Sequence, residues 1–213
     1  MNKLLSKSFL WMFAGLIVTF LTGYIVSTSE TMIESVFNSS LYWVFIILEL
    51  GLVIFFSARV HKMKPTTAKV CFLLYSFVSG LTFSSVFILF KLSSVMYVFL
   101  IAALVFMIFG LIGYFTKFDL TRLGTYLIMG LLAIIICAIV NIFIGSSTFD
   151  LIVSIIALAI FFGFTAYDVN RIKKYAESGL DNDIVAINGA FELYLDFINI
   201  FLHLISIVGD AKD

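Results

Sequence analysis

The chain has 213 residues, of which 62% are hydrophobic and only 12% are charged, and its mean hydropathy is +1.17. Soluble domains are about half apolar, so this composition excludes an ordinary soluble protein. The formal net charge is +0, which gives no electrostatic reason to expect a nucleic-acid partner. The length fits one transmembrane domain, residues 1–213, with no room for a sizeable soluble one.

Seven apolar stretches follow one another along the chain, each close to the ~20 residues that a helix needs to cross a bilayer. In chain order they are residues 9–27, 41–57, 70–90, 95–115, 124–144, 149–168 and 184–208. They are apolar around the whole circumference, as helices in a bundle core or in lipid are. The sequence therefore predicts an all-α integral membrane protein with seven transmembrane helices.

The connections between these spans differ in charge. If the spans alternate in direction, one side carries Lys3, Lys7, Arg59, Lys62, Lys64, Lys69, Lys117, Arg122, Arg171, Lys173 and Lys174. The other side carries Lys91 and Lys212 beside Glu30, Glu34, Asp150, Asp210 and Asp213. Because basic loops stay in the cytoplasm, we expect a multi-pass cell-membrane protein with a cytoplasmic N-terminus and an external C-terminus. The acidic outer side would mildly concentrate cations.

Once the loop residues are assigned, four acidic residues remain, and each falls within or at the edge of an apolar span: Glu49, Asp168, Glu192 and Asp196. A charge at the bilayer centre costs about 3 kcal/mol on insertion scales. Such a residue must face the protein interior, form an ion pair or take up a proton. A functional role is the default interpretation, and a structural knot of polar side chains is the alternative.

A polar stripe marks the last span. It consists of Asn188, Glu192, Asp196, Asn199 and His203, whose spacing of three or four residues places them on one helix face. Carboxylate and amide oxygens suit calcium or magnesium. The stripe by itself fits an ion path and interhelical hydrogen bonding equally well. For His203 a packing role is the simpler interpretation.

Asp168 and Asp196 lie on the last two spans, which begin or end on the same side. If these helices are neighbours, the carboxylates approach each other and titrate as a unit, which would make them a proton sensor. Arg59, at the cytoplasmic end of the second span, is the expected counter-charge of Asp168, with Lys62 as the alternative.

Five sequence motifs follow one another in a fixed order along nearly the whole chain. They are Phe77-Val-Ser-Gly-Leu-Thr82, Gly110-Leu-Ile-Gly113, Lys117-Phe-Asp-Leu-Thr121, Tyr167-Asp168-Val-Asn-Arg-Ile-Lys173 and Leu193-Tyr-Leu-Asp196-Phe-Ile-Asn-Ile-Phe201. This ordered set resembles the Bax inhibitor family, the transmembrane Bax-inhibitor-motif proteins, and is most similar to its bacterial members of the YetJ type.

The resemblance implies a fold in which the seventh helix is surrounded by two layers of three. It also implies a pH-sensitive calcium leak, in which Asp168 and Asp196 form the sensor and Arg59 latches Asp168 when the path is closed. Calcium ions and protons are then the expected ligands, with calcium held by Asp168, Asp196 and Glu192. No cofactor is expected, and the protein partners stay unspecified.

Other function classes remain open as alternatives. The chain could be a scaffold that modulates stress or quality control, or a proton/cation antiporter. An enzyme is not expected, because the sequence has no Gly-x-Ser-x-Gly elbow and no phosphate-binding glycine loop. The motifs of intramembrane aspartyl proteases are also missing, since no proline follows Pro65.

Overall fold

The protein is helical throughout the part that the computed structural model describes, residues 2–37, 41–180 and 182–212. Its helices are α1 (Lys3–Ser27), α2 (Glu30–Phe37), α3 (Leu41–Arg59), α4 (Pro65–Leu89), α5 (Leu92–Phe115), α6 (Thr121–Ile144), α7 (Ser147–Glu177) and α8 (Asp183–Val208), with a 3-10 turn at Val60–Lys62 after α3. Within the described residues, every helix except α2 is long and apolar enough to cross a membrane. The predicted class, an all-α membrane protein with seven spans, is confirmed.

The helices extend beyond the predicted spans, mostly at their N-terminal ends. The largest difference is in α7, which continues past Asp168 to Glu177, so that Asp168 lies more than two turns inside the helix. These extra turns carry basic and polar residues, which a hydropathy pattern assigns to loops although they keep helical geometry. The short helix α2 was not predicted, and Asp213 lies outside the described residues.

The chain divides into two compact units. The first contains Met1–Leu92, Tyr175–Tyr194 and Ala211–Asp213, and the second contains Ser93–Lys174 and Leu195–Asp210. Helix α8 is continuous from Asp183 to Val208, about 39 Å long, and contributes its first half to the first unit and its second half to the second. It does not turn back within this range. A single domain and two three-helix layers stay predictions.

In the first unit, α1 and α4 run parallel and very close together. The same register relates the three contacts Gly15–Phe72, Thr19–Ser76 and Gly23–Gly80. A Cβ on Gly80 would lie 2.6 Å from the Thr22 Cβ and 2.9 Å from the Thr19 carbonyl oxygen. Small residues at this spacing let two membrane helices approach until their backbones almost touch.

The first half of α8 runs parallel to α1 and α4 within this unit. At one end, Asp183 accepts hydrogen bonds from Lys7 at 3.3 Å and Lys69 at 2.9 Å. At the other end, Lys212 donates from its ammonium to the Phe87 carbonyl at 2.7 Å and from its backbone to the Leu89 carbonyl. Lys7, near the start of α1, and Lys212 therefore lie at opposite ends of the unit.

In the second unit, the order of contacts gives the direction of each helix. From the start to the end of α5, the residue numbers of its contact partners increase along α7 and decrease along α8. The α5–α7 contacts are Phe109–Phe162, Gly113–Asn170 and Tyr114–Lys173, and the α5–α8 contacts are Phe99–Phe201 and Phe106–Phe197. Helix α5 is therefore parallel to α7 and antiparallel to α8, so α7 and α8 are antiparallel to each other.

Candidate functional site

Asp168 is a buried carboxylate with a cation on its own helix. Only 5% of its surface is exposed, and its Oδ1 atom lies 2.9 Å from Nη2 of Arg171, one turn further along α7. The Arg171 guanidinium lies over the Tyr167 ring, 5.1 Å from its centroid. The ion pair and the cation–π contact together fix the guanidinium beside the acid.

Asp196, on α8, is 4% exposed, and its level relative to Asp168 follows from one contact. The rings of Phe161 on α7 and His203 on α8 stack, with centroids 6.0 Å apart. Asp168 lies seven residues after Phe161, and Asp196 lies seven residues before His203. Seven residues are almost two full turns, so in antiparallel helices the two carboxylates lie at one level, about 10 Å along the helix axes from the ring contact and on the same face as it. The second unit thus brings the two predicted aspartates to the same level on α7 and α8.

The five residues of the polar stripe of α8 differ in how deeply they are buried. Asn188, Glu192, Asn199 and His203 are half-buried, whereas Asp196 is buried. The amides bond within their own helix, because Asn188 donates to Glu192 Oε1 at 3.0 Å and Asn199 donates to the Leu195 carbonyl at 2.7 Å. His203 stacks on Phe161, as its packing interpretation predicts. Four of the five stripe residues therefore lie at partly accessible positions of α8, which also include the apolar Leu195 and Leu202.

Glu49, the remaining predicted acid, lies in the first unit and is held by hydroxyl groups. Its Oε2 atom accepts a 2.8 Å hydrogen bond from Thr82, and its Oε1 atom accepts a 3.3 Å bond from the Tyr75 phenol. Both donors are on α4, while Glu49 is on α3. The half-buried carboxyl group thereby joins two neighbouring helices.

The hydroxyl groups continue inward from Tyr75. Ser79 lies near the phenols of both Tyr75 and Tyr194, whose rings meet edge to face with centroids 5.8 Å apart. The Tyr194 oxygen is 2.6 Å from that of Thr19, which donates its own proton to the Ser76 carbonyl at 2.8 Å, so Tyr194 is the donor to Thr19. These hydroxyl groups therefore form one cluster, with members from α4, α8 and α1. Sequence spacing does not predict this cluster, because its members come from different helices.

The whole chain, residues 1–213, matches the family described as "Inhibitor of apoptosis-promoting Bax1". It is 35% identical to inner membrane protein YbhL of Escherichia coli K12, over 95% of this chain and 89% of the relative. An uncharacterized protein of Borreliella burgdorferi is 38% identical, over 100% of this chain and 94% of the relative. An uncharacterized membrane protein of Streptococcus pyogenes serotype M1 is 34% identical, over 84% and 80%.

The chain belongs to the Bax inhibitor family. The names of two of these relatives and the seven apolar helices agree on a multi-pass membrane protein. The structure also gives local physical reasons for some residues in the motifs on which the resemblance rests. In Phe77–Thr82, Thr82 donates to Glu49 and Ser79 lies near the Tyr194 phenol, and Gly80 allows the close approach of α1.

The motif that begins at Tyr167 contains a residue whose role was missed. Its Asp168-Val-Asn-Arg171 spacing places the arginine one turn beyond the aspartate, where helical neighbours pair, and the structure has this pair. Arg59, the predicted latch of Asp168, is an exposed residue at the end of α3 in the first unit. A latch by Arg59 stays a prediction for this Bax inhibitor family member.

Among residues 2–37, 41–180 and 182–212, no group of three or more His, Cys, Asp or Glu side chains is close enough to hold a metal ion. Calcium binding by Asp168, Asp196 and Glu192 stays a prediction.

Replacing Thr82 by valine is expected to lower the free energy of unfolding by about 1–2 kcal/mol, because Glu49 loses its shorter hydrogen bond while the side-chain shape is kept. Thermal unfolding in detergent measures the loss. The control is Thr165→Val, since Thr165 is buried but donates to the Phe161 carbonyl of its own helix. Equal destabilisation by the two substitutions would show that the hydrogen bond to Glu49 stabilises the protein no more than a bond within one helix does.

Proposed function

We propose that this protein is a passive, pH-sensitive calcium leak whose gate is the pair Asp168 and Asp196. One observation carries the proposal: two buried carboxylates lie at the same level on the antiparallel helices α7 and α8, almost two turns from the Phe161–His203 contact. The chain also belongs to the Bax inhibitor family, and its resemblance to the bacterial members of that family implies such a leak.

The physical reason is the cost of charge in a membrane interior. Two carboxylates at close range and out of water do not both stay ionised without a counter-charge. They can share a proton, or a cation can neutralise them. Protons and calcium would therefore compete for the same oxygens, which makes the occupancy of the pair dependent on pH.

Arg171 supports the closed state in this proposal. Its guanidinium holds Asp168 at 2.9 Å, and the predicted latch by Arg59 would act on the same carboxylate. Protonation of Asp168 removes the charge that holds the arginine, so we expect acidification to loosen the gate. The opposite sign would follow if the lost negative charge mattered more to the passing cation.

The path is proposed to follow the polar stripe of α8, from the acidic outer side towards the pair. Carboxylate and amide oxygens are hard ligands that suit calcium. The positive-inside rule then places the N-terminus in the cytoplasm and the C-terminus outside. No cofactor and no covalent chemistry enter this mechanism, since the protein would only bind, release and gate ions.

Calcium entry into liposomes that contain only the purified protein tests the proposal. A calcium-sensitive dye inside the vesicles reports influx between pH 5 and pH 8, with the membrane potential clamped. A leak predicts downhill flux that changes with pH and stops at equal calcium concentrations. Uphill movement driven by a proton gradient would favour an antiporter, and no flux from folded protein would favour a scaffold.

A further inference from the structure

The connection between α3 and α4 is strongly basic and has no acidic counterpart. Residues 59–64 include Arg59, His61, Lys62 and Lys64, and all four are exposed. The sequence has no Asp or Glu between Glu49 and Asp119. In the described ranges, no ion pair involves any of these four side chains. We call residues 59–64 the basic connection.

Several basic residues elsewhere in the chain are engaged by the protein itself. Lys7 and Lys69 share Asp183, and Lys174 pairs with Asp119 at 2.9 Å. The positive-inside rule depends on the number of basic residues near the spans, and it does not require several of them to be crowded into six residues. The basic connection therefore has more unneutralised charge in one place than topology alone demands.

The backbone of the basic connection is held in place. Val60 is 0% exposed and anchors the 3-10 turn Val60–Lys62, which is closed by a 3.1 Å hydrogen bond from the Met63 N–H to the Val60 carbonyl. Pro65 then begins α4. Because the turn is fixed before any ligand arrives, little backbone entropy is lost on binding.

The helix that leads into the basic connection presents an apolar surface outward. Of its 19 residues, only Phe56 is buried, whereas Ile47 and Ile54 are each 69% exposed and Phe55 is 50% exposed. In a bilayer, acyl chains cover such a surface. A lipid lying along α3 places its headgroup where the helix leaves the hydrocarbon, and that is where the basic connection starts.

We propose that the basic connection binds the phosphate headgroup of an anionic phospholipid whose acyl chains lie along α3. Arginine offers a planar fork to phosphate oxygens and lysine offers a mobile point charge, and juxtamembrane basic clusters are attracted to anionic lipid. Arg59 is also the predicted latch of Asp168, with Lys62 as its alternative, but lipid binding by the basic connection does not depend on calcium transport.

The test is native mass spectrometry of the full chain in neutral detergent, equilibrated with equal amounts of phosphatidylglycerol and phosphatidylcholine of identical acyl chains. Wild type is expected to retain phosphatidylglycerol preferentially. Lys62→Gln/Lys64→Gln should weaken that binding about tenfold. Lys117→Gln/Arg122→Gln removes two exposed charges, one in the α5–α6 connection and one in the first turn of α6, and should leave that binding unchanged. Lys62→Arg/Lys64→Arg keeps the charge and should also leave it unchanged, which verifies folding.

Three results would overturn the proposal. Wild type could retain both lipids equally, the two charge-neutralised variants could lose phosphatidylglycerol to the same extent, or Lys62→Gln/Lys64→Gln could bind as wild type does. Inorganic phosphate at the same concentration as the lipid separates a headgroup site from a free-phosphate site. Displacement of phosphatidylglycerol by inorganic phosphate would also contradict a lipid site.

Discussion

Asp168→Asn and Asp196→Asn are each expected to flatten the pH dependence of calcium flux. If the pair is the gate, its protonation changes over the measured range, and wild-type flux should change by about tenfold between pH 5 and pH 8. Asparagine keeps the shape of the side chain but does not titrate, so each variant should change by less than about twofold. The liposome assay described above measures both.

Asp119→Asn is the matched control for these variants. Asp119 lies in the same unit and also has a cation at 2.9 Å, from Lys174, but it is exposed in the connection between α5 and α6. Hydrogen bonds from the Thr121 side chain, then Lys174, hold the pKa of Asp119 well below its usual range. Its stabilising contact is therefore present above the unfolded-state pKa and lost only in strong acid. Between pH 5 and pH 8 it stays ionised and should not affect the pH response.

The outcome separates the sensor from a structural ion pair. Removing Asp168 leaves Arg171 beside an uncharged amide, so some loss of stability is expected in either case. A structural role predicts lower thermal stability with an unchanged pH profile of the remaining flux. An unchanged profile in both aspartate variants would contradict the gate, while a flattened profile in Asp119→Asn would mean that the assay reports general charge.

Sequence predicts the spans well because bilayer thickness imposes one strong constraint on length and polarity. Every predicted span overlaps one long helix, and several end at the predicted residue, as at Ser27 and Ile144. The starts were placed too late where the first turn is polar. A window of about 20 residues also cannot detect α2, which has eight residues.

The sequence predicts only part of the candidate site. Contacts between residues that are close in the sequence can be predicted, whereas contacts between residues on different helices cannot. The acids themselves were evident because charge is rare in apolar helices. The Asp168–Arg171 pair was within reach of the sequence, since its spacing is one helical turn. The hydroxyl donors of Glu49 were not, because Tyr75 and Thr82 are on another helix, and helix rotation decides which side chains meet.

Gly113→Ala is expected to be among the most destabilising single substitutions. A Cβ at this position would overlap the Ala166 carbonyl oxygen and lie 2.8 Å from the Ala166 Cα. The obstacle is backbone, which cannot rotate away as a side chain can. Moving α5 away from α7 would also stretch the 3.1 Å hydrogen bond from Asn170 to the Gly113 carbonyl and the 3.0 Å bond from Lys173 to the Tyr114 carbonyl.

The expected loss is about 2–3 kcal/mol of unfolding free energy, as for overpacked cores, and a midpoint of thermal unfolding lower by about 5–10 °C. Gly110→Ala is the control within the same motif, because its Cβ would meet only the Val169 Cγ2 at 3.7 Å, an ordinary contact. Gly51→Ala is a second control, with nothing within 4 Å. Similar midpoints for Gly113→Ala and Gly110→Ala would mean that α5 and α7 can separate at little cost. In that case the position of Asp168 along α8 would depend on the contacts between α7 and α8, and not on the backbone contact between α5 and α7.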